Sequence, residues 1–250
     1  MVLGAALAAC GGGGGGMLAP DAALPDAPQP ACSATEFPWT TIVHDGTANG
    51  PALSGVHVCM INGATSTCTD TAIDGKWEFC APNNSEIIVT LEKDGYMPGL
   101  SPITTGTSQP AAGRDFSALP LTTACPNTWA KMGLECPPTT SGLLFLAARD
   151  NVEMGISGIV IDAATPQPAQ TAYGSTTGDV DTSLTASTTN GNIYMGTFPS
   201  ADVVVSLHKD TTTSCHGRSL FAWTLTAPGP NMVRVPVRPG FRTYALVTCE

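Results

Sequence analysis

Cysteine carries most of the reactive chemistry in this sequence. There are nine: Cys10, then Cys32, Cys59, Cys68, Cys80, Cys125, Cys136, Cys215 and Cys249. Thiols can bind a metal, act as nucleophiles, or pair. Metal sites place Cys and His at short, fixed spacings. The chain has no CxxC, and none of its four histidines (His44, His57, His208, His216) stands at ligand spacing from another. Setting Cys10 apart leaves an even set of eight, which in an exported chain reads as a disulfide framework. Cys125 and Cys136 bracket a short segment, and closing it is worth about 3 kcal/mol in the chain-entropy model. Cys215 and Cys249, the only cysteines of the C-terminal part, are expected to pair with each other. Cys32, Cys59, Cys68 and Cys80 allow three connectivities, and their spacing selects none.

Other chemistry is sparse. No HExxH occurs, no His is followed by Glu at +1 or +3, and no GxSxG is present. A hydrolytic zinc or a serine nucleophile therefore has no local framework. Asp179 and Asp181 in "GDVDTS" stand two apart, as in calcium loops, but the third ligand, the Gly and the distal Glu are missing. This segment reads as a solvated loop. Trp77 shares a strand face with Phe79 and reads as core. Tyr96, after a strand end, and Tyr194, on the strand face opposite Ile193 and Met195, are the ligand-binding candidates at the surface. Asn83-Asn84-Ser85 matches a glycosylation sequon without further support. The expectation is a non-enzyme with no catalytic residue, no cofactor and no metal.

The elements that would hold these residues follow from composition and period. Net charge is −10, with only ten Lys and Arg and no basic cluster, which argues against a nucleic-acid partner. Charged residues make up just 12% of the chain, too few for the polar faces of long surface helices. Residues 11–31, "GGGGGGMLAPDAALPDAPQPA", show no apolar period and read as a flexible tether spanning on the order of 25 Å.

From about residue 37 the texture becomes short β-type runs between turn residues. Two segments correspond: "IDGKWEFCAPNNSEIIVTLEKDG" (73–95) and "TNGNIYMGTFPSADVVVSLHKDT" (189–211). Each has a turn dipeptide (Asp74-Gly75, Asn190-Gly191), a strand, a proline and a second strand ending in Lys-Asp. Upstream, "LSGVHV" (53–58) matches "ISGIVI" (156–161). This is a diverged tandem repeat. Trp77 and Phe79 alternate with Lys76 and Glu78. Ile87, Val89 and Leu91 alternate with Ile88, Thr90 and Glu92. Val203, Val205 and Leu207 alternate with Val204, Ser206 and His208. Period two predicts half-buried antiparallel strands, and the Gly dipeptides predict tight hairpins between neighbours. Between the repeats, one helical turn is expected at 128–134.

Two resemblances sharpen this reading. Leu7-Ala8-Ala9-Cys10, after the apolar run Val2–Ala9, resembles the lipobox of bacterial lipoproteins, although no basic residue precedes the run. The resemblance implies a signal peptide at 1–9, and lipidation of Cys10 as the new N-terminus. "PALSGVHV", "DTAIDGKWEFCAP" and "IIVTLEKDGYMP" resemble the carboxypeptidase regulatory-like domain, a transthyretin-like (prealbumin-like) Greek-key β-sandwich of about seven strands. The implied fold is all-β, with two tandem sandwiches at 37–124 and 141–250 after a linker at 10–36, joined by a disulfide-bracketed segment at 125–140. The second copy replaces Gly-Tyr after Lys209-Asp210 with Thr211-Thr212 and inserts "TPQPAQTAYGSTTGDVDTSL". The resemblances imply an exported lipoprotein in a Gram-negative envelope, held to the membrane by its lipid, that binds carbohydrate or another envelope protein. The alternatives are a structural spacer without a ligand, and an accessory subunit of a separate peptidase.

Overall fold

The computed structural model describes residues 31–47, 49–110 and 115–250. Cys10, its lipobox-like context and the tether reading lie outside the described residues. The first repeat forms β1 (Glu36–Asp45), β2 (His57–Asn62), β3 (Thr65–Asp70), β4 (Lys76–Pro82), β5 (Glu86–Glu92), the two-residue β6 (Tyr96–Met97), β7 (Gly99–Thr104) and β8 (Phe116–Pro120). Sheet order β4-β1-β8-β6 faces the order β3-β2-β5-β7. Trp39, Trp77, Phe79, Ile87 and Val89 fill the space between them. Strand β4 buries Trp77, Phe79 and Ala81 on one side, as its period requires, and Trp77 stacks on Phe79 at 4.0 Å.

The second repeat forms β9 (Gly142–Arg149), β10 (Val160–Thr165), β11 (Gln170–Gly174), β12 (Val180–Asp181), β13 (Asn192–Phe198), β14 (Ala201–His208), β15 (Cys215–Gly217), β16 (Met232–Val237) and β17 (Arg242–Cys249). Its pairings repeat those of the first. β2 pairs β5 and β5 pairs β7, as β10 pairs β14 and β14 pairs β16. β1 pairs β4 antiparallel and β8 parallel, as β9 pairs β13 and β17. The fold is all-β, built on two sandwich cores.

The glycine dipeptides work differently from the expectation. They do not close hairpins: β4 pairs β1, not the preceding β3, and β13 pairs β9. Gly75 and Gly191 instead end a turn whose N–H returns to Ala72 O and Thr188 O. Both have positive φ, +73° and +68°. Each then presses its backbone on the first strand of its repeat, where Val43 N donates to Gly75 O and Ala148 N to Gly191 O. A Cβ at Gly191 would collide with Ala148 O, and one at Gly75 would stand 2.9 Å from Val43 O. Glycine is needed at both for φ and for close approach.

Strand β17 makes the two repeats one structure. It pairs in parallel with β9 along seven residues, and on its other edge with β7 at Arg242↔Gly99 and Thr243↔Leu100. One sheet therefore runs β12-β11-β13-β9-β17-β7-β5-β2-β3. Both β9 and β17 are covered on two faces. Ala245 and Val247 enter the second core, while Leu246 enters the first. The expected purely antiparallel pairing thus holds within the hairpins but fails at β1–β8, β9–β17 and β7–β17.

The outer face of β5 departs from period two for a related reason. Ile88 and Thr90 are buried as well as Ile87, Val89 and Leu91. The 218–226 segment of the second repeat crosses this face. Trp223 packs on Ile88 and Leu100 and donates its indole N–H to Ile87 O at 3.1 Å. Thr104 Oγ1 donates to Ala222 O, and Arg234 lies 5.0 Å over the Trp223 ring. Helix α1 (Leu121–Asn127) and a 3-10 turn (Trp129–Met132) take the place of the single turn expected at 128–134, and bury Trp129 and Met132. The eight cysteines pair as Cys32–Cys80, Cys59–Cys68, Cys125–Cys136 and Cys215–Cys249.

Because a shared sheet and a Trp-capped strap join the repeats, both cores are expected to unfold together. Urea titrations followed by tryptophan fluorescence and far-UV circular dichroism should superimpose. Trp223→Ala should lower stability by about 3 kcal/mol without splitting the transition. Two separated transitions in the wild-type chain would refute the coupling.

Candidate functional site: a cationic aromatic cavity between the repeats

The β7–β17 ladder lasts only two residues, and a cavity of about 750 Å³ is lined by both strands together with β8, β9, β13 and the start of the 3-10 turn. This volume lies in the range of small-molecule sites. A continuous chain of ring contacts forms its wall. Trp129 meets Tyr194 edge-on at 5.5 Å, Tyr194 meets Phe145 at 5.0 Å, and Phe145 stacks on Tyr244 at 5.5 Å. Phe221 then contacts Tyr244 at 4.8 Å and Phe116 at 6.2 Å. With only four Trp, four Tyr and seven Phe in the chain, six rings in one wall is a strong concentration.

Into this wall the sequence places a cation. Strand β17 alternates Arg242, Tyr244 and Leu246 against Thr243, Ala245 and Val247. The second set faces its own core, so Arg242 is turned to the cavity. Its guanidinium carbon lies 5.8 Å from the Phe145 ring centre. Nε is buried and has no hydrogen-bond partner among the described residues, and no carboxylate there forms an ion pair with this side chain. Burial pulls its pKa down to about 10, opposed by the Tyr244 and Tyr194 phenols. The side chain is therefore charged at neutral pH without a counter-ion. For a base whose folded pKa is depressed, that charge costs stability at every pH below about 10 and is relieved only as pH rises through it.

The other charged groups of the cavity are committed. Arg149 donates to Ala148 O, Asn190 O and Asn192 Oδ1. Asp115 accepts from Ile42 N and contacts His44 Nε2 at 3.0 Å, while His44 Nδ1 contacts Gly50 O. Neither ring nitrogen of His44 is left for a proton transfer. A guanidinium with Nε shielded from water, beside ring faces, suits an anionic head carried on an apolar body.

Of the two tyrosines singled out from sequence, the structure brings one to the cavity. Tyr194 is not at the surface, as its strand position suggested, but is 4% exposed, because Trp129 and Phe145 cover it. Its hydroxyl donates to Gly178 O at 2.6 Å, and burial raises its pKa. Tyr96 lies elsewhere on β6, partly exposed, with its phenol raised by desolvation and the Asp45 carboxylate. The loop carrying Asp179 and Asp181 does not form an ion cage: Asp179 meets Lys131, and Asp181 accepts from Ser183 N and Oγ. His57, Cys59 and Cys68 bring three donor atoms together, but the disulfide leaves no thiolate for a metal. Sequence reasoning missed Arg242, Phe145, Tyr244 and Phe221. One signal was present: an arginine and a tyrosine at i and i+2 within the apolar run "FRTYALV".

No family model matches the chain, and no curated protein matches it. Among solved structures, the TIE protein of Bacillus anthracis aligns over 86% of this chain at 9% identity and a TM-score of 0.26, and this chain spans 34% of its length. The minor pilin GBS52 of Streptococcus agalactiae aligns over 84% of this chain and 95% of its own, at 10% identity and a TM-score of 0.28. The major pilin subunit BcpA of Bacillus cereus aligns over 84% and 99%, at 10% identity and a TM-score of 0.26. Likeness this loose carries no functional argument.

A half-buried cation with an unpartnered Nε costs stability, and a methionine would remove that cost. Arg242→Met should raise the urea midpoint at unchanged slope, by a stabilisation on the order of 2 kcal/mol. A lowered midpoint would show that the guanidinium is compensated in the empty protein.

Proposed function

We propose that the chain is a non-catalytic exported binding module, tethered to a Gram-negative envelope through a lipid on Cys10, with the junction cavity as its ligand site. Arg242 carries the reading. A half-buried charge whose Nε is sealed from water without a partner is expensive, and an anionic ligand that neutralises it turns the cost into affinity. The cavity size and its six rings suit a carboxylate borne on one or two rings. Within the carbohydrate reading, this favours an acidic sugar over a neutral one. The carboxypeptidase regulatory-like assignment belongs to the same proposal. It is supported by the six-strand pairing the repeats share, in which β4-β1-β8 and β2-β5-β7 correspond to β13-β9-β17 and β10-β14-β16.

Binding is tested by thermal shift and calorimetry on a panel of uronic-acid oligosaccharides, aryl carboxylates and their neutral counterparts. Carboxylates should bind and neutral analogues should not, and Arg242→Met should weaken binding by about tenfold or more. Equal binding of neutral glycans by wild type and Arg242→Met would overturn the cavity assignment. The anchor is tested separately: Cys10→Ser should change both membrane fractionation and apparent mass, with loss of the lipid adduct. Unchanged fractionation and mass would reject lipidation.

A further inference from the structure

The four disulfides are not equivalent. Cys59–Cys68 spans only nine positions, against 48, 11 and 34 for the others, and it links strands already held by six register pairs from His57↔Asp70 to Asn62↔Thr65. It adds little to a hairpin that the ladder defines. Strand β3 ends the sheet that both repeats share, and every residue on it is exposed, Cys68 included, while Cys59 is buried. Both sulfurs lie on the sheet face opposite the core-facing Val58 and Met60, with Cys68 open to solvent and Cys59 covered.

The buried sulfur has a proton-transfer partner. His57 Nε2 lies 3.5 Å from Cys59 Sγ, and His57 Nδ1 lies 2.8 Å from Asp70 Oδ1. Asp70 accepts the Nδ1 proton and fixes the ring, so Nε2 is the nitrogen that meets the sulfur. Glu92 stands opposite His57 on β5, so both neighbouring strands present a carboxylate to the imidazole. A protonated His57 at this distance would stabilise a thiolate on Cys59 as it leaves.

We propose that Cys59–Cys68 is a thiol–disulfide exchange site, attacked at Cys68 and released at Cys59. An incoming dithiol, as thiolate, attacks the exposed Cys68 Sγ in line with the S–S bond. That bond breaks, its electron pair goes to Cys59 Sγ, and the leaving thiolate is received by the His57 imidazolium. A mixed disulfide on Cys68 remains. The second thiol of the incoming molecule attacks its own bonded sulfur and expels Cys68 as thiolate. Two electrons have then moved from the dithiol to the protein, the dithiol is oxidised to its disulfide, and its two protons end on Cys59 and Cys68. The leaving-group role is the one His57 can assist, because only Cys59 touches it.

The chain contains its own control. Cys215 and Cys249 also face each other directly across an antiparallel pair, with the same 4.1 Å Cα separation as Cys59 and Cys68. Both are buried, at 1% and 2% exposure. Geometry is matched and access is not.

The test treats the folded chain with limiting dithiothreitol, quenches by alkylation, and locates labelled cysteines by peptide mass mapping. Cys59 and Cys68 should be labelled about tenfold faster, or more, than Cys215 and Cys249. With glutathione, a monothiol, the adduct should form on Cys68. His57→Ala should slow the reaction several-fold and remove the preference for Cys59 as the leaving sulfur, read as glutathione adducts on both cysteines. Its urea midpoint should stay unchanged, since His57 is exposed. Asp70→Asn should act in the same direction. Equal labelling of the two cross-strand disulfides, a glutathione adduct on Cys59 of the wild-type chain, or an unchanged rate in His57→Ala would each overturn the proposal.

Discussion

The structure depends on the parallel pairing of β17 between β9 and β7. This last strand contributes to both cores at once, with Ala245 and Val247 on one face and Leu246 on the other. A strand covered on both faces must be apolar along nearly its whole length, and β9 and β17 read that way. The pairing also joins residues far apart in sequence, since Thr243 lies against Leu100. The Trp223 strap reinforces the same junction, with its indole N–H on Ile87 O and its ring under Arg234. Removing either set of contacts exposes apolar faces of both repeats rather than one.

The same constraint creates the cavity. Two sheets with independent twist can share a ladder only briefly, and here the β7–β17 register covers two residues. The space on the Arg242–Tyr244 face of β17 is filled by rings rather than aliphatic chains. Aromatic side chains bury area while tolerating edge and face contacts at varied angles, which suits an irregular gap. Arginine is also the cation best suited to such a wall: its planar guanidinium is weakly hydrated and rests against Phe145. A lysine ammonium there would face a larger desolvation penalty and lack the flat contact. The site is thus a product of how two sandwiches join, and neither repeat alone contains it.

Local features of the fold were legible, and long-range ones were not. Trp77 and Phe79, or Val203, Val205 and Leu207, show their burial by alternation because each strand's neighbour is set by its own repeat. The repeat itself is visible, since Gly75 and Gly191 hold the same turn against Val43 and Ala148. That these turns enter a strand of the opposite sheet was not visible, because a Gly dipeptide reports positive φ but not which strand follows in space. Ile88 looked solvent-facing until Trp223, 135 positions later, covered it. Tyr194 was picked out for the wrong reason: its place on the strand face opposite Ile193 and Met195 suggested solvent, and the Trp129 turn occupies that side. Arg242 stood in an apolar strand in plain view, but only β7 and Phe145 give it meaning.

Divergence between the repeats explains where the two reactive features lie. In the first repeat, the third strand stays beside the second: β3 pairs β2, ends the sheet, and leaves Cys68 in solvent. In the second repeat, the corresponding β11 crosses to the other sheet and pairs β13. That switch follows from the inserted segment between Thr165 and Leu184, which supplies β11, β12 and the Gly178 carbonyl that receives the Tyr194 hydroxyl. It extends the sheet beside β13 and backs the aromatic wall from behind. One copy of the motif thus offers an open edge carrying one cross-strand disulfide. The other gives up that edge to build the cavity. A duplicated sandwich needs both copies to fold alike, yet only one third strand is needed at each position, and the exchange of its partner is the change that separates the two sites.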